Sequence, residues 1–233
     1  MEGNINILET EALSRGSDTD LWVFENYNQR IAIATILCLV FIVGSIGNTL
    51  VITAVVLSRE LRSSTNWFVV NLGCSDLLTC LCLPFYAVAM LSRDGWPLPG
   101  WICVANAAMV MICMGASVMT LALIAFNRWY LLTNTRGLQK TNVTKSMTSQ
   151  LRKKHAVVVL AFIICLLPFG VSVSGFLSDP GIPWTGLLLA VNSCVNPLIY
   201  AGIWREFRNV MLAIIRFRLK DIPEPITCVR RFV

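Results

Sequence analysis

The sequence predicts an all-α integral membrane protein with five transmembrane helices, and two observations lead to this prediction. Of the 233 residues, 56% are hydrophobic and only 14% are charged, whereas a soluble domain usually carries about 25% charged residues. The apolar residues also gather in five long runs, and a helix needs about 20 apolar residues to cross a bilayer. Helices satisfy their own backbone hydrogen bonds in lipid, and the runs lack the alternation that a β-barrel needs.

The five runs define a transmembrane domain over residues 30–204. The predicted spans cover residues 31–58, 67–91, 101–131, 154–177 and 182–203. Residues 1–29 form a polar, acid-rich tail in which no basic patch precedes an apolar run. The first span is therefore expected to act as its own insertion signal.

The distribution of basic residues predicts the orientation of the spans. An odd number of spans places the two termini on opposite sides of the membrane. With the amino terminus outside, the outer segments carry only Arg15, Arg30 and Arg93, and the other sixteen of the 19 lysines and arginines lie on the inner side. Cytoplasmic segments are enriched in these residues. The amino-terminal tail is therefore expected outside the plasma membrane and the carboxyl terminus in the cytoplasm.

Residues 205–220 follow the last span and have the pattern of a basic amphipathic helix. Apolar residues recur there at helical spacing, with arginines elsewhere on the wheel, namely Phe207, Val210, Met211, Ile214 and Ile215 against Arg205, Arg208, Arg216 and Arg218. Such a helix is expected to lie along the inner leaflet. A tail that stops membrane transfer is a compatible interpretation, and residues 221–233 are expected to form a cytoplasmic tail.

Polar side chains occur within the spans, where they are costly in lipid and are expected to face the bundle interior. They include Asn48, Asp76, Ser117, Asn192, Ser193 and Asn196. One acid among neutral oxygen donors is suited to a hard cation such as sodium. The alternative is a hydrogen-bonded network around a protonated or water-bound Asp76. Spacing alone favours the polar network.

Several motifs resemble the signatures of rhodopsin-like, or class A, G-protein-coupled receptors. The first, second and last spans carry Gly47-Asn48, the run from Asn71 to Asp76, and the run from Asn196 to Tyr200. Asn127-Arg128-Trp129 stands where the family usually carries Asp-Arg-Tyr. The run Cys165-Leu166-Leu167-Pro168, with Phe162 before it, resembles the sixth-helix element of the family. The Asn-Arg-aromatic triplet also resembles melatonin-type and related invertebrate orphan receptors.

The resemblance implies roles for residues of these motifs. G-protein contact and activation would involve Asn127, Arg128, Trp129, Asn196, Pro197 and Tyr200. A sixth-helix switch would involve Phe162, Leu166 and Pro168, with Leu166 where the family usually has tryptophan. A sodium ion at Asp76, with Asn48, Ser117, Asn192, Ser193 and Asn196 around it, would act as an allosteric modulator. Arg128 has a plainer interpretation as well, because a basic residue at a helix end anchors the helix at the lipid phosphates.

The resemblance also limits the classes of ligand that are expected. The candidate pocket residues are Val110, Met114 and Ala190. Val110 stands where amine receptors carry an aspartate, and Ala190 stands where opsins carry the retinal lysine. A small-molecule or peptide ligand is therefore expected, rather than a biogenic amine or retinal.

Two helices of the family have no counterpart in the chain. Only the polar stretch of residues 133–150 separates the third-helix motifs from the sixth-helix motifs. The five spans would therefore correspond to helices 1, 2, 3, 6 and 7. Cys103 occupies the position of a family disulfide, but the other outer segments contain no cysteine that would be its partner.

Three functions remain open at this point. The first is a receptor that passes an extracellular signal to a heterotrimeric G protein. The second is a truncated, non-signalling form that associates with full-length receptors as a homo- or hetero-oligomer. A small transporter or channel is less favoured, because no repeated half or pair of broken helices is evident.

An enzyme is not expected, because His155 is the one histidine and no nucleophile–base pair accompanies it. Nucleic acid is not an expected partner, since the basic loops suit anionic lipid or acidic protein.

Overall fold

The computed structural model describes residues 26–92, 96–134, 142–174 and 182–226, which are helical with one isolated bridge between Ser58 and Pro225. The helices are α1 (Tyr27–Leu57), α2 (Ser64–Leu91), α3 (Gly100–Asn134), α4 (Asn142–Val173), α5 (Ile182–Ile203) and α6 (Arg205–Ile215). A single 3-10 turn, Leu219–Asp221, follows α6. The predicted all-α fold class is confirmed.

Four of the described helices, α1, α2, α3 and α5, are long and apolar enough to span a membrane. The apolar part of α4, Ala156–Ser172, is shorter. Many large apolar side chains point outward from the bundle, including Val104, Ile112 and Leu160. A soluble protein rarely exposes so much contiguous apolar surface, so this surface is suited to lipid.

Polar caps place the beginnings of α1 and α2 slightly before their apolar runs. The Asn26 side-chain oxygen accepts hydrogen bonds from the backbone N–H groups of Asn28 and Gln29. The Ser63 hydroxyl oxygen accepts one from the backbone N–H of Asn66. Such caps satisfy amide groups that the first helical turn leaves without partners. The two helices therefore begin a few residues earlier than the predicted spans.

Two helix boundaries differ from the bounds of the predicted segments. Helix α4 begins at Asn142 rather than at residue 154, because the polar stretch before the apolar run contains good helix formers and no glycine or proline. Helix α6 ends at Ile215 rather than at residue 220. Phe217 adopts a positive φ of 53°, a left-handed conformation that breaks the helix. Residues 175–177 of the predicted fourth span lie outside the described part of the chain.

The segment after α6 folds back against the α1–α2 connection. The backbone N–H of Arg59 donates to the Glu224 carbonyl at 2.9 Å, and the N–H of Ile226 donates to the Leu57 carbonyl at 3.1 Å. The Ser58 hydroxyl donates to the Pro223 carbonyl at 2.8 Å. Ile222 is buried in the core beside these contacts. The described beginning of the expected tail is therefore packed against the bundle.

Helix α5 is the centre of the bundle. It packs against α1, α2 and α4, and Trp204 connects it to α6. Helix α3 packs mainly on α2 and makes few contacts with α4. We call the end of the bundle where α1, α3 and α5 begin the amino end, and the end that carries α6 the carboxyl end. One group of buried apolar side chains fills each end.

Candidate ligand cavity and polar centre

A cavity of about 340 Å³ lies at the amino end of the bundle. All five long helices contribute to its wall, with Ile33, Leu37, Thr79, Leu83, Tyr86, Met90, Ala107, Val110, Met111, Phe169, Ile182, Pro183, Gly186, Leu187, Leu189 and Ala190. Ligand pockets in proteins usually measure about 300–1,000 Å³. The cavity is therefore large enough for a small ligand or for one part of a larger one.

The wall of this cavity is almost entirely apolar. Among the described residues that line it, Thr79 and Tyr86 carry the side-chain hydroxyl groups, and none is charged. The Thr79 hydroxyl already donates to the Ser75 carbonyl at 3.0 Å. Of the three pocket residues that the resemblance implies, Val110 and Ala190 line the cavity, and Met114 is not among its lining residues.

Arg30 lies beside this cavity and is only 7% exposed. Its Nε donates a hydrogen bond of 2.6 Å to the carbonyl of Met90, whose side chain lines the cavity. The sequence alone suggested no role for Arg30 beyond its place in an outer segment. Its helical spacing to Ile33 and Leu37 was the available signal, because residues three and seven positions apart share one face of a helix.

A buried polar centre lies in the middle of the bundle, where α2 meets α5. The Asn196 side-chain amide donates to the Asp76 carboxyl group at 2.7 Å, and both residues are 2% exposed. Asp76 is therefore buried between α2 and α5 rather than facing lipid.

Two further amides connect pairs of helices near this centre. The Asn48 side chain donates to the carbonyls of Gly44 and Ser193 at 2.9 and 2.8 Å, which ties α1 to α5. The Asn71 side chain donates to the Thr120 hydroxyl at 2.7 Å, which ties α2 to α3. Ser117, Asn192 and Ser193 are buried as well. Thr120 was missed from the sequence, although it lies one helical turn from Ser117.

At the carboxyl end, Tyr200, Trp204 and Phe207 form an aromatic cluster. Their ring centroids are 5.1–5.5 Å apart, and Tyr200 and Phe207 are buried. Asn196 and Pro197 are buried in the same helix as Tyr200. Asn127 lies near the end of α3, whereas the side chains of Arg128 and Trp129 lie outside the described part of the structure.

The residues of the implied sixth-helix switch lie on α4, where it faces α5. Phe162 is buried in the core of the carboxyl end, and Leu166 packs against the same core. Helix α4 continues through Pro168. The Ser172 hydroxyl donates to the Pro168 carbonyl and lies 2.9 Å from the Thr185 hydroxyl of α5. This contact connects α4 to α5 one turn after Pro168.

All eight cysteines in the described part of the chain are free, including the half-buried Cys103. Cys228 lies outside the described residues. The described thiols therefore contribute to packing rather than to cross-links.

Residues 47–148 match the family described as 7 transmembrane receptor (rhodopsin family). Galanin receptor type 2 of Homo sapiens is 32% identical over 101 residues, which cover 43% of this chain and 26% of that receptor. Octopamine receptor 1 of Lymnaea stagnalis is 36% identical over 140 residues, 58% of this chain and 21% of that receptor. C5a anaphylatoxin chemotactic receptor 1 of Oryctolagus cuniculus is 33% identical over 122 residues, 50% of this chain and 35% of that receptor.

The matched region thus spans about a fifth to a third of the length of these relatives. This partial coverage fits a receptor chain that lacks two of the family's helices. The family match, the similar receptors and the bundle of membrane-length helices agree with one another. The chain is a multi-pass membrane protein whose residues 47–148 match the rhodopsin family of receptors and which is similar to class A receptors.

Proposed function

We propose that the chain acts as a receptor that passes an extracellular ligand signal to a heterotrimeric G protein. Its amino end would face the outside of the cell and its carboxyl end the cytoplasm. The observation that carries this proposal is the placement of an apolar cavity at one end and a buried polar centre in the middle, joined by α5. The excess of lysines and arginines on the carboxyl side supports the orientation.

Helix α5 provides a physical route for the signal. Leu187 and Ala190 line the cavity, Asn196 contacts Asp76, and Tyr200 packs in the aromatic cluster at the opposite end. A ligand shifts a conformational equilibrium only by the difference in its affinity for the two states. A ligand that contacts α5 and Phe169 of α4 would favour one packing of these two helices, and the carboxyl end would respond.

The cavity wall supports a ligand whose buried part is uncharged. The described residues that line the cavity include no carboxylate, so a biogenic amine would bury its ammonium group among them without an acidic partner, at a high cost. Ala190 offers no amine for a Schiff base with retinal. The octopamine receptor is named for an amine, but Val110 of this chain lines the cavity with a hydrocarbon side chain.

A sodium ion at Asp76 is proposed as a modulator of this receptor. The fit rests on one buried carboxyl group and the buried oxygen-bearing side chains Ser117, Asn192 and Asn196. Oxygen donors suit hard cations. The part of the chain that the structure describes contains no group of three His, Cys, Asp or Glu residues that would hold a multivalent metal. A single acid among neutral oxygens suits a monovalent ion better.

Sodium binding is expected to raise the melting temperature of the purified chain in NaCl above that in KCl of equal ionic strength. A ligand at ten times its Kd stabilises the folded state by about 1.4 kcal/mol. The Asp76→Asn variant is expected to lose the difference between the two salts, and the exposed-acid control Glu206→Gln is expected to keep it. An unchanged difference in Asp76→Asn would exclude a site at Asp76.

A second candidate function is a non-signalling form that associates with complete receptors. Large apolar side chains of α3 and α4 are exposed, for example Ile112 at 68% and Leu167 at 62%, and the two helices make few contacts with each other. In a receptor with all seven helices, the fourth and fifth helices would cover part of this surface. Here the surface meets lipid or another subunit.

Nucleotide exchange on G proteins distinguishes the two functions. In membranes that contain the chain and each class of G protein, we expect exchange above that of membranes without the chain. Tyr200→Ala should lower this exchange at least tenfold, because it removes the ring that joins α5 to the aromatic cluster. The control Phe217→Ala alters a side chain that is 92% exposed and should have no effect at equal protein amount. Exchange equal to the background, together with reduced surface amounts of a co-expressed complete receptor, would support the second function instead.

A further inference from the structure

The amino end of the bundle contains a buried positive charge for which the described residues provide no acid. Arg30 is 7% exposed, and its guanidinium donates one hydrogen bond, from Nε to the Met90 carbonyl. The ion pair within the described ranges joins Arg218 and Asp221 at the other end of the molecule. A guanidinium carries five N–H donors, so most of its donor capacity remains for another group.

The position of this charge relative to the cavity follows from its place on α1 and from one hydrogen bond. Ile33 and Leu37 line the cavity, and Arg30 lies on the same face of α1 about 4.5 Å nearer to the helix start than Ile33. The hydrogen bond to Met90 places the guanidinium beside the opposite wall, formed by α2. The charge therefore lies at the edge of a cavity, and the polar side chains among the described lining residues are those of Thr79 and Tyr86.

We infer that this site binds an amphipathic anion, with a carboxylate or phosphate group paired to Arg30 and a hydrocarbon chain in the cavity. The inference rests on the proposed use of the cavity as the ligand site. Arginine recognises carboxylate and phosphate groups through two parallel hydrogen bonds. Each methylene group that enters an apolar cavity raises the affinity about fourfold. A guanidinium beside an apolar cavity therefore selects against both cations and short polar anions.

The test uses the full chain in nanodiscs of neutral phosphatidylcholine and measures the binding of three matched probes by calorimetry. The probes share a twelve-carbon chain and differ in the head group: dodecanoate, dodecanol and dodecylamine. We expect dodecanoate to bind at least tenfold more tightly than the other two, because a hydrogen bond to a charged group contributes about a factor of 10 to 100. Equal affinities for dodecanoate and dodecanol would overturn the inference.

Variants at two arginines separate the head-group contact from general effects of charge. Arg30→Gln is expected to lower dodecanoate affinity at least tenfold and to leave dodecanol affinity unchanged, and Arg30→Lys is expected to retain part of the affinity. Arg62 provides a matched control, because its Nη2 also donates to a backbone carbonyl, that of Val56, but it is exposed at the carboxyl end. Arg62→Gln should bind dodecanoate like the unaltered chain. Unchanged binding by Arg30→Gln would remove Arg30 from the site.

A cavity-filling variant distinguishes failure of this inference from failure of the proposed ligand site. Ala190→Phe places a large side chain in the cavity and should abolish binding of dodecanoate and dodecanol alike. If Ala190→Phe binds dodecanoate normally, the cavity is not the ligand site, and the proposed function loses its ligand site. If Ala190→Phe blocks binding but Arg30→Gln does not, the cavity remains the ligand site and only the anionic class is wrong.

The same preparations identify the source of the anion. In nanodiscs that contain phosphatidylserine, an anion supplied by the bilayer would stabilise the chain without any added probe, and Arg30→Gln would remove that stabilisation. A soluble amphiphile would stabilise the chain only after addition. Both results support an anion at Arg30, whereas stabilisation that Arg30→Gln leaves intact would contradict it.

Discussion

Replacing Asn196 by leucine is expected to destabilise the bundle by about 2–3 kcal/mol, because a buried polar group without its hydrogen-bond partner pays its full desolvation cost. Asn196 donates to the Asp76 carboxyl group at 2.7 Å, and both residues are buried. Lipid surrounds the bundle and offers no water as a substitute partner. The melting temperature of the chain in detergent, followed by a dye that reacts with its buried cysteines, measures the change.

The double variant Asp76→Leu with Asn196→Leu provides the decisive comparison. Replacing both partners by apolar groups of similar shape is often nearly neutral, so the double variant should be more stable than Asn196→Leu alone. Asp76→Asn keeps a side chain that accepts the hydrogen bond and should cost less than about 1 kcal/mol. If Asn196→Leu melts at the same temperature as the unaltered chain, the pair does not contribute to stability.

Gly47→Ala is expected to separate α1 from α5 and to destabilise the bundle by about 1–3 kcal/mol, the usual cost of an overpacked core. A Cβ atom on Gly47 would lie 2.7 Å from the Pro197 Cβ and 3.0 Å from its Cγ. The rigid proline ring cannot turn away from this contact. Asn48, the next residue, would also lose the geometry of its hydrogen bond to the Ser193 carbonyl.

Two other helical glycines provide matched controls for this substitution. A Cβ atom on Gly115 of α3 or Gly202 of α5 would meet nothing within 4 Å. Alanine stabilises a helix by about 1 kcal/mol relative to glycine, so Gly115→Ala and Gly202→Ala should melt at the same or a higher temperature. A melting temperature for Gly47→Ala equal to those of the controls would show that α1 and α5 do not approach as closely as described.

The expected effects of Gly47→Ala and Asn196→Leu concern one interface. Helix α5 contacts α1 through Gly47 and Asn48, and it contacts α2 through Asn196. Variants in this interface should therefore weaken folding and signalling together. Arg30→Gln should lower anion binding without a comparable loss of stability, because the glutamine amide retains a donor for the Met90 carbonyl. Comparing melting temperature with binding in the same preparations separates the two classes of effect.

Much of the architecture was predictable because hydropathy is a local property of the chain. Five apolar runs predicted the positions of five helices, and the beginnings of α1, α2, α3 and α5 differ from prediction by a few residues at most. The cost of polar groups in lipid also predicted that Asn48, Asp76 and Asn196 would be buried. Local patterns were less informative for α4 and α6, where helix propensity and a single left-handed residue decided the boundaries.

The sequence by itself determined that the chain is a helical membrane protein and that its polar residues face inward, because both follow from the free energy of placing each segment in lipid. The tertiary structure alone decided which groups meet. Asp76 and Asn196 are 120 residues apart, and Arg30 and Met90 are 60 residues apart. Contacts at such separations depend on the rotation and packing of whole helices. The anion site at Arg30 and the return of the carboxyl-terminal segment to α1 therefore became visible only in three dimensions.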